Sequence, residues 1–496
     1  MKVWQTILKV AGLMGPLYPS LPSDHPASIQ FSAWLSVFNT ADKKALLEYH
    51  TSPAFPYSVA SRDVANIDRE LGLAKGTGGF DVVDIESISN PSTVVVVMKV
   101  RKDEVRPQYA RATMVVDVSK DKYPATKFDI GPIITPIKFV PEEDRPRYEK
   151  ALKPLTTDTR RAVIDGVAEV LRDQYILPDT IEMMISALET HLKNGDYDDL
   201  TESEKFAIHL TEDLHASGHD KHMRILFIEP QGAPDEEPQR PPPEKILEEL
   251  RSMNFGFGSV SLDQTTVPGR TIATLPIDGF VPSEPEFSPA YQEIRDAIGK
   301  IVSNVSEADA LLMDLRDNHG GSPHTVSFIL SYLLDNGPVH ILDFVDRSGN
   351  IDESFSTLPT SELPAGTTRF GGTKPLFVLT TENTISGGEE MAYDLQAFKR
   401  SKAVIGEGSE TTAGAANPIT RPRHICEEIF GKGWWVVAVP SVRPVHAVTG
   451  TNWEGVGVLS DVVAGKGEWE EVSDAEEVGK RLVKRILEGK GGREEL

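Results

Sequence analysis

Apolar positions change period several times along this chain, and each change marks a different kind of element. Near the start, Phe31, Trp34, Leu35 and Phe38 recur at spacings of three, one and three, which is one face of a helix. From about residue 80 the pattern becomes that of strands. Val94 to Val100 is β-branched and nearly continuous, and Tyr109 to Val118 and Lys127 to Ile134 follow. A helical lead followed by a curved antiparallel sheet predicts an α+β domain over residues 26–138. Residues 157–217 return to helical spacing, with Val163, Ile164, Val167, Val170 and Leu171 in one core-packing stripe. Asn194-Gly195-Asp196 ends a second helix there, and a third runs through Phe206 to Leu214. Residues 270–465 then alternate short strands with helices.

Punctuation divides these blocks. Residues 1–25 end in a Pro/Ser-rich stretch and read as a tail. Pro141 to Pro146 reads as a linker, and residues 232–245, rich in proline and acid, as an exposed loop. The resulting division is a tail (1–25), an α+β domain (26–138), a helical subdomain (150–222), a core (223–465) and a charged C-terminal helix or tail (466–496). In that last segment Val478, Leu482 and Ile486 either dock a helix or leave it solvated.

The formal net charge of −24, from 51 basic and 75 acidic residues, disfavours nucleic acid and anionic membranes as partners. A single cysteine, Cys426, rules out an intrachain disulfide. No run approaches the ~20 apolar residues of a spanning helix, so no integral membrane association is expected. Lys2 precedes a mildly apolar stretch, Val3 to Leu17, broken by Gln5 and Lys9. That is a poor secretion signal. A cytoplasmic location is the expectation, with secretion left open.

Chemistry concentrates in four segments. Ser386 lies in Thr384-Ile385-Ser386-Gly387-Gly388-Glu389-Glu390, between a buried strand (Pro375 to Thr380) and a helix marked by Met391, Leu395 and Phe398. A hydroxyl at a helix N-terminus, beside glycines that let a substrate approach, suits an acyl-transfer nucleophile. Alternatively Ser386 is only an N-cap, with Glu389 completing a capping box. Asp314 to Pro323 follows a second strand, Ala310 to Met313. Its paired glycines, Gly320 and Gly321, can turn backbone N–H groups outward to hold an oxyanion. In the segment from His215 to Leu226, His222 opens a strand and is a candidate base. His215, His219 and His222, at spacings of four and three, alternatively suggest zinc. Glu454, in a glycine-flanked loop, is a candidate to orient an imidazole or else an ordinary turn acid.

Together and in this order, these segments resemble peptidase family S41, the group of C-terminal processing proteases, tricorn and interphotoreceptor-retinoid-binding-protein-like domains. The resemblance covers about residues 150–465, supported by Gly406-Glu407 and Gly414 to Pro418. It implies a crotonase/ClpP-like ββα spiral core. It also implies a serine peptidase acting on peptides or proteins, with no metal or organic cofactor. Two active-site designs exist in the family. The Ser-Lys design needs a lysine in the segment matching Gly408 to Ala416, which holds none, and Lys402 precedes the intervening strand. His222 and Glu454 fall where the tricorn-like design places its histidine and glutamate. The resemblance therefore implies catalytic Ser386, His222 and Glu454, with the N–H groups of Gly387 and of Gly320 or Gly321 as oxyanion donors. His319 stands where similar sequences carry a small residue or proline, and is expected to point to solvent. Too few residues separate His222 from the strand at Arg270 to Leu275 for a PDZ domain.

Residues 26–138 resemble an NTF2-like domain, in the helix carrying Asn39-Thr40-Ala41-Asp42 and in the strand run. A folding or dimerisation role is expected for it, and a homo-oligomer is possible. Competing functions are a non-catalytic apolar-ligand carrier on the same scaffold, or a hydrolase of small esters, lactones or modified peptides.

Overall fold

The computed structural model describes residues 20–52, 63–88, 90–102, 107–230, 242–283, 290–335 and 337–489. It divides into two compact units, residues 1–145 and 146–496.

In the first unit, helices α1 (Pro26–Phe38), α2 (Lys43–His50) and α3 (Asp63–Thr77) precede four strands: β1 (Phe80–Ser87), β2 (Thr93–Val100), β3 (Tyr109–Val116) and β4 (Ala125–Ile133). The strands form an antiparallel meander in sequence order. The His25 side chain caps α1, with Pro26 at its first position, and Asp42 caps α2 by accepting the Ala45 N–H at 2.8 Å. Phe31, Trp34 and Phe38 pack with Val94, Val96, Met98, Ala112 and Met114 as one core. These are the face and the strands that the periodicity predicts. Two register shifts in β1 kink the sheet.

The second unit begins with α4 (Arg145–Ala151), α5 (Thr157–Gln174), α6 (Ile181–Asn194) and α7 (Ser203–Gly218). Thr156 and Thr159 close a capping box on α5, whose predicted apolar stripe is buried throughout. Gly195, at φ +82°, ends α6 in the left-handed conformation expected of a C-cap glycine. The exposed-loop expectation for residues 232–245 needs correction. Residues 231–241 lie outside the described residues, and Pro243 opens a helix, α8 (Pro243–Ser252). Proline, read as a breaker, is here at the first helical position, where its missing N–H costs nothing.

A six-stranded sheet carries the rest. It contains β6 (Ser261–Asp263), β7 (Ile272–Pro276), β8 (Ala310–Asp314), β11 (Leu376–Thr380), β12 (Ala403–Glu407) and β16 (Val462–Ala464), in the order β16-β12-β11-β8-β7-β6. All neighbours are parallel except β6 and β7. β11 is buried along its whole length because both faces are covered, which explains its continuous apolar run. On one face Leu311, Met313, Leu376 and Val378 meet α9 (Tyr291–Ser303), α10 (Pro323–Leu333) and α11 (Gly387–Ala397). On the other, Leu312, Phe377, Leu379 and Ile405 meet α12 (Ala475–Leu487). Val478 and Leu482 of α12 are fully buried, so between the two readings of the C-terminal segment the docked helix is the one observed. Arg316 adds polar ties, pairing with Asp314 and Glu407 and reaching Asp474 at 3.5 Å. Two three-stranded antiparallel sheets complete the unit. One is β10 (Ile351–Ser356), β9 (His340–Asp346) and β15 (Val442–His446). The other is β13 (Arg423–Ile425), β14 (Trp435–Ala438) and β5 (Arg224–Phe227).

Candidate active site

Ser386 occupies the turn between β11 and α11 at φ 57° and ψ −122°, a backbone conformation that costs a residue with a Cβ of order 1–3 kcal/mol. Such strain persists only where the surroundings over-determine it. The Ser386 N–H donates to Glu389 Oε2 at 3.0 Å, one arm of the capping box read from sequence. The Ser386 carbonyl accepts from the Glu390 N–H at 2.9 Å, and the Ile385 N–H donates to the Asn318 carbonyl at 3.2 Å.

Gly320 and Gly321 press against this turn. A Cβ on Gly320 would lie 2.7 Å from the Ser386 Cβ, and one on Gly387 would lie 3.1 Å from the Gly321 nitrogen. Only glycine lets the two backbones approach so closely. Asn318, wholly buried, shapes the Gly320 turn: its Nδ2 donates to the Ile277 carbonyl and its Oδ1 accepts the Gly320 N–H, each at 2.8 Å. The Gly320 donor is therefore already engaged. The N–H groups of Gly321 and Gly387 meet no acceptor among the described residues. His319 is exposed at the edge of this turn.

Glu389 does more than cap. Fully buried, it accepts the Thr412 hydroxyl at 2.5 Å and the Gly414 N–H at 2.6 Å on Oε1, and the Ala415 N–H at 2.9 Å on Oε2 beside that of Ser386. Burial pushes its pKa up while the donors pull it down, and burial prevails.

His222 follows α7, after His219 turns the chain at φ 58°. Asp220, 1% exposed, accepts the His222 N–H at 2.9 Å and the Tyr175 hydroxyl at 3.1 Å. The His222 Nδ1 is buried without a hydrogen-bond partner. Burial first, then the Arg224 charge, lowers the imidazole pKa to about 4, so the ring is neutral near pH 7 and available as a base. His215 engages the Met223 carbonyl through Nε2 at 2.8 Å. Among the described residues no three His, Cys, Asp or Glu side chains gather as a metal site would require. Glu454 accepts the Ala416 and Asn417 N–H groups on Oε2, at 2.7 and 2.9 Å. Burial and the nearby Asp220 charge raise its pKa to about 7.

These three candidates, far apart in sequence, attach to one loop, residues 411–417. Glu389, holding Ser386, takes donors from Thr412, Gly414 and Ala415, while Glu454 takes those of Ala416 and Asn417. Lys221, next to His222, donates to the Ala413 carbonyl at 2.7 Å. Neither the Ser386 hydroxyl nor the Glu454 carboxylate is hydrogen-bonded to the His222 ring. The sequence reading missed Asn318, Asp220 and Tyr175, and saw Glu389 only as a cap. Asn318 and Asp220 sat inside flagged segments, but nothing local marks their partners.

Residues 271–438 match the model of peptidase family S41, and residues 149–254 match that of the N-terminal domain of the S41 peptidase in eukaryotic IRBP. Among solved structures, a lipoprotein from Streptococcus agalactiae is similar at 14% identity, covering 64% of this chain and 96% of that one, with a TM-score of 0.38. The photosystem II D1 C-terminal processing protease is similar at 15% identity, covering 66% and 98%, with a TM-score of 0.38. The tricorn protease is similar at 12% identity, covering 82% and 47%, with a TM-score of 0.39. These structural likenesses are distant, and the assignment rests on the sequence matches. Those two matches together span more than half of the chain, which belongs to peptidase family S41 and is a serine-type peptidase.

Proposed function

We propose that this peptidase cleaves peptide bonds by a Ser-His-Glu acyl-enzyme mechanism of the tricorn-like kind, with Ser386 as nucleophile, His222 as base and Glu454 as the carboxylate partner of the imidazole. The observation that carries the reading is the strained Ser386 turn. It holds a nucleophile at a helix N-terminus beside two unengaged donors, the N–H groups of Gly387 and Gly321. Gly320 shapes that hole and Gly321 supplies the donor, since the Gly320 N–H is bound to Asn318. As the Ser386 oxygen bonds to the scissile carbonyl carbon, its proton passes to His222 and the oxyanion settles on the two donors. His222 then gives the proton to the leaving amine. Water, deprotonated by the same ring, releases the acyl group. Closure of the His222 segment onto Ser386 through the 411–417 loop, on substrate binding, brings the ring into reach. The absence of lysine from residues 408–416 favours this design over a Ser-Lys pair.

We further propose a crotonase/ClpP-like spiral core without a PDZ domain for the catalytic unit, and an NTF2-like cone for residues 26–138; the mostly parallel six-stranded sheet and the helices leading into an antiparallel meander favour these readings. The test is labelling by a fluorophosphonate probe together with hydrolysis of a peptide library. Wild type labels at Ser386, and Ser386→Ala folds, fails to label and does not hydrolyse. Undiminished hydrolysis by that variant refutes the reading.

A further inference from the structure

Behind the nucleophile, three ionisable side chains are sealed from water and take no part in the mechanism above. Glu390 and Asp394 lie one turn apart on the same face of α11, and His446 ends β15. The Asp394 and His446 side chains are 0% exposed, and Glu390 is 4% exposed. Glu390 Oε1, both Asp394 carboxylate oxygens and His446 Nε2 are buried without hydrogen-bond partners at normal distance. Unpaired buried polar atoms are costly, and four in one place call for an explanation.

The tautomer of His446 supplies one. Its Nδ1 faces the N–H groups of Val448 and Thr449, at 3.2 and 3.4 Å, so that nitrogen is bare and the ring's proton is on Nε2. Nε2 stands 3.5 Å from Asp394 Oδ1. A single Nε2–H cannot balance two carboxylates in a dry site, so the pair must retain a proton. No cation relieves it among the described residues. The ionisable groups on α10 are His324, paired with Glu353 at 2.8 Å, and Tyr332, whose hydroxyl donates to Thr367, and β12 carries Glu407, bound to Arg316. Arg400, just after α11, donates to the carbonyls of Leu333, Lys374 and Gly371. Burial first, and then His340 from β9, opposes a charge on His446. Burial drives both carboxyls well above the usual carboxylate range, and Glu390 pushes Asp394 further.

The cluster also joins the two halves of the candidate site. The Glu390 N–H bonds the Ser386 carbonyl, and the loop from His446 runs on to Glu454. Tyr393 of α11 reinforces the joint, touching His446 and Trp453 and bonding the Thr449 hydroxyl at 2.9 Å. We propose that Glu390, Asp394 and His446 form a buried, proton-holding latch that fixes the helix bearing Ser386 to the loop bearing Glu454, and that loss of its proton reversibly unseats the nucleophile. In the proposed latch the retained proton is shared by the two carboxyls, with the His446 Nε2–H 3.5 Å from Asp394 Oδ1. This rests on the catalytic reading of Ser386 and Glu454.

Glu390→Gln mimics the protonated acid. Its kcat/KM at neutral pH should stay within about twofold of wild type. At about pH 9, where buried glutamates titrate, wild type should lose activity several-fold and regain it on return, while the variant keeps it. Because the folded pKa is raised, the stability contributed by protonated Glu390 is whole below the ordinary carboxylate pKa and is lost as pH rises toward the raised value. The variant's Tm should therefore match wild type in mild acid and exceed it by at least about 3 °C in alkali. A protonated-carboxyl stretch should appear in the infrared difference between wild type and variant at neutral pH. Absence of that band, or an equal alkaline loss in the variant, overturns the latch. If Glu390→Gln does not fold, Glu390→Met tests the same alkaline protection. The band and the Tm trend do not depend on Ser386. A failure of the catalytic reading would therefore show as hydrolysis surviving Ser386→Ala with the band still present.

Discussion

Replacing Glu389 by Gln asks how much of the Ser386 turn's geometry one buried carboxylate maintains. Four donors converge on it, two per oxygen: Thr412 and Gly414 on Oε1, Ser386 and Ala415 on Oε2. An amide has one acceptor and one donor end. In its better orientation the Gln oxygen keeps Ser386 and Ala415, and its NH2 faces the Thr412 hydroxyl, which can rotate to accept, and the Gly414 N–H, which cannot. One buried donor is orphaned and the remaining bonds lose their ionic partner, so the cost is about 2–4 kcal/mol. In a unit spanning residues 146–496 that corresponds to a Tm about 3–5 °C lower by thermal circular dichroism. If about half is felt at the proposed attack by Ser386, kcat falls about 5- to 30-fold. The fluorophosphonate labelling rate should fall with it while KM stays nearly constant. A variant with wild-type Tm and wild-type labelling would refute the reasoning, because the Ser386 turn would then hold without its four-donor anchor.

Other outcomes follow from the same geometry. Ser386→Gly should abolish hydrolysis and raise thermal stability by about 1–3 kcal/mol, because glycine occupies that φ and ψ without strain; a lower Tm would remove the strain argument. Gly320→Ala places a methyl 2.7 Å from the Ser386 Cβ at φ +86°, so it should cost at least about 1–2 kcal/mol and most of kcat, read by unfolding and steady-state kinetics. The Glu454 pKa is raised to about 7 and that of His222 is lowered to about 4, so the acid limb of kcat/KM should lie near pH 7 and report Glu454 ionisation. Glu454→Gln should lower kcat and erase that limb. It should also gain stability relative to wild type as pH rises from the ordinary carboxylate value toward 7. A limb unchanged in this variant would assign it elsewhere.

Much of the architecture follows from local order along the chain. Phe31, Trp34 and Phe38 share a helical face whatever they pack against, and the unbroken apolar run of β11 demands cover on both faces. The Ser386 turn is legible for the same reason: strand, small residues and helix follow one another within about a dozen positions. Gly195 ends α6 because a left-handed cap needs only its own neighbours. Where local preference has two outcomes, sequence could not choose. Pro243 begins a helix instead of extending a loop, and Val478 and Leu482 had no visible partner until β8, β11 and β12 formed the surface they cover. The rest belongs to tertiary structure alone. Glu389 meets residues 411–415, Asp220 meets Tyr175, and Asp394 meets His446 across tens of positions. No periodicity encodes such meetings, since the charges and donors involved are satisfied equally well by water until folding removes it. Burial then makes each pairing obligatory, and so decides which ordinary-looking polar residues surround Ser386.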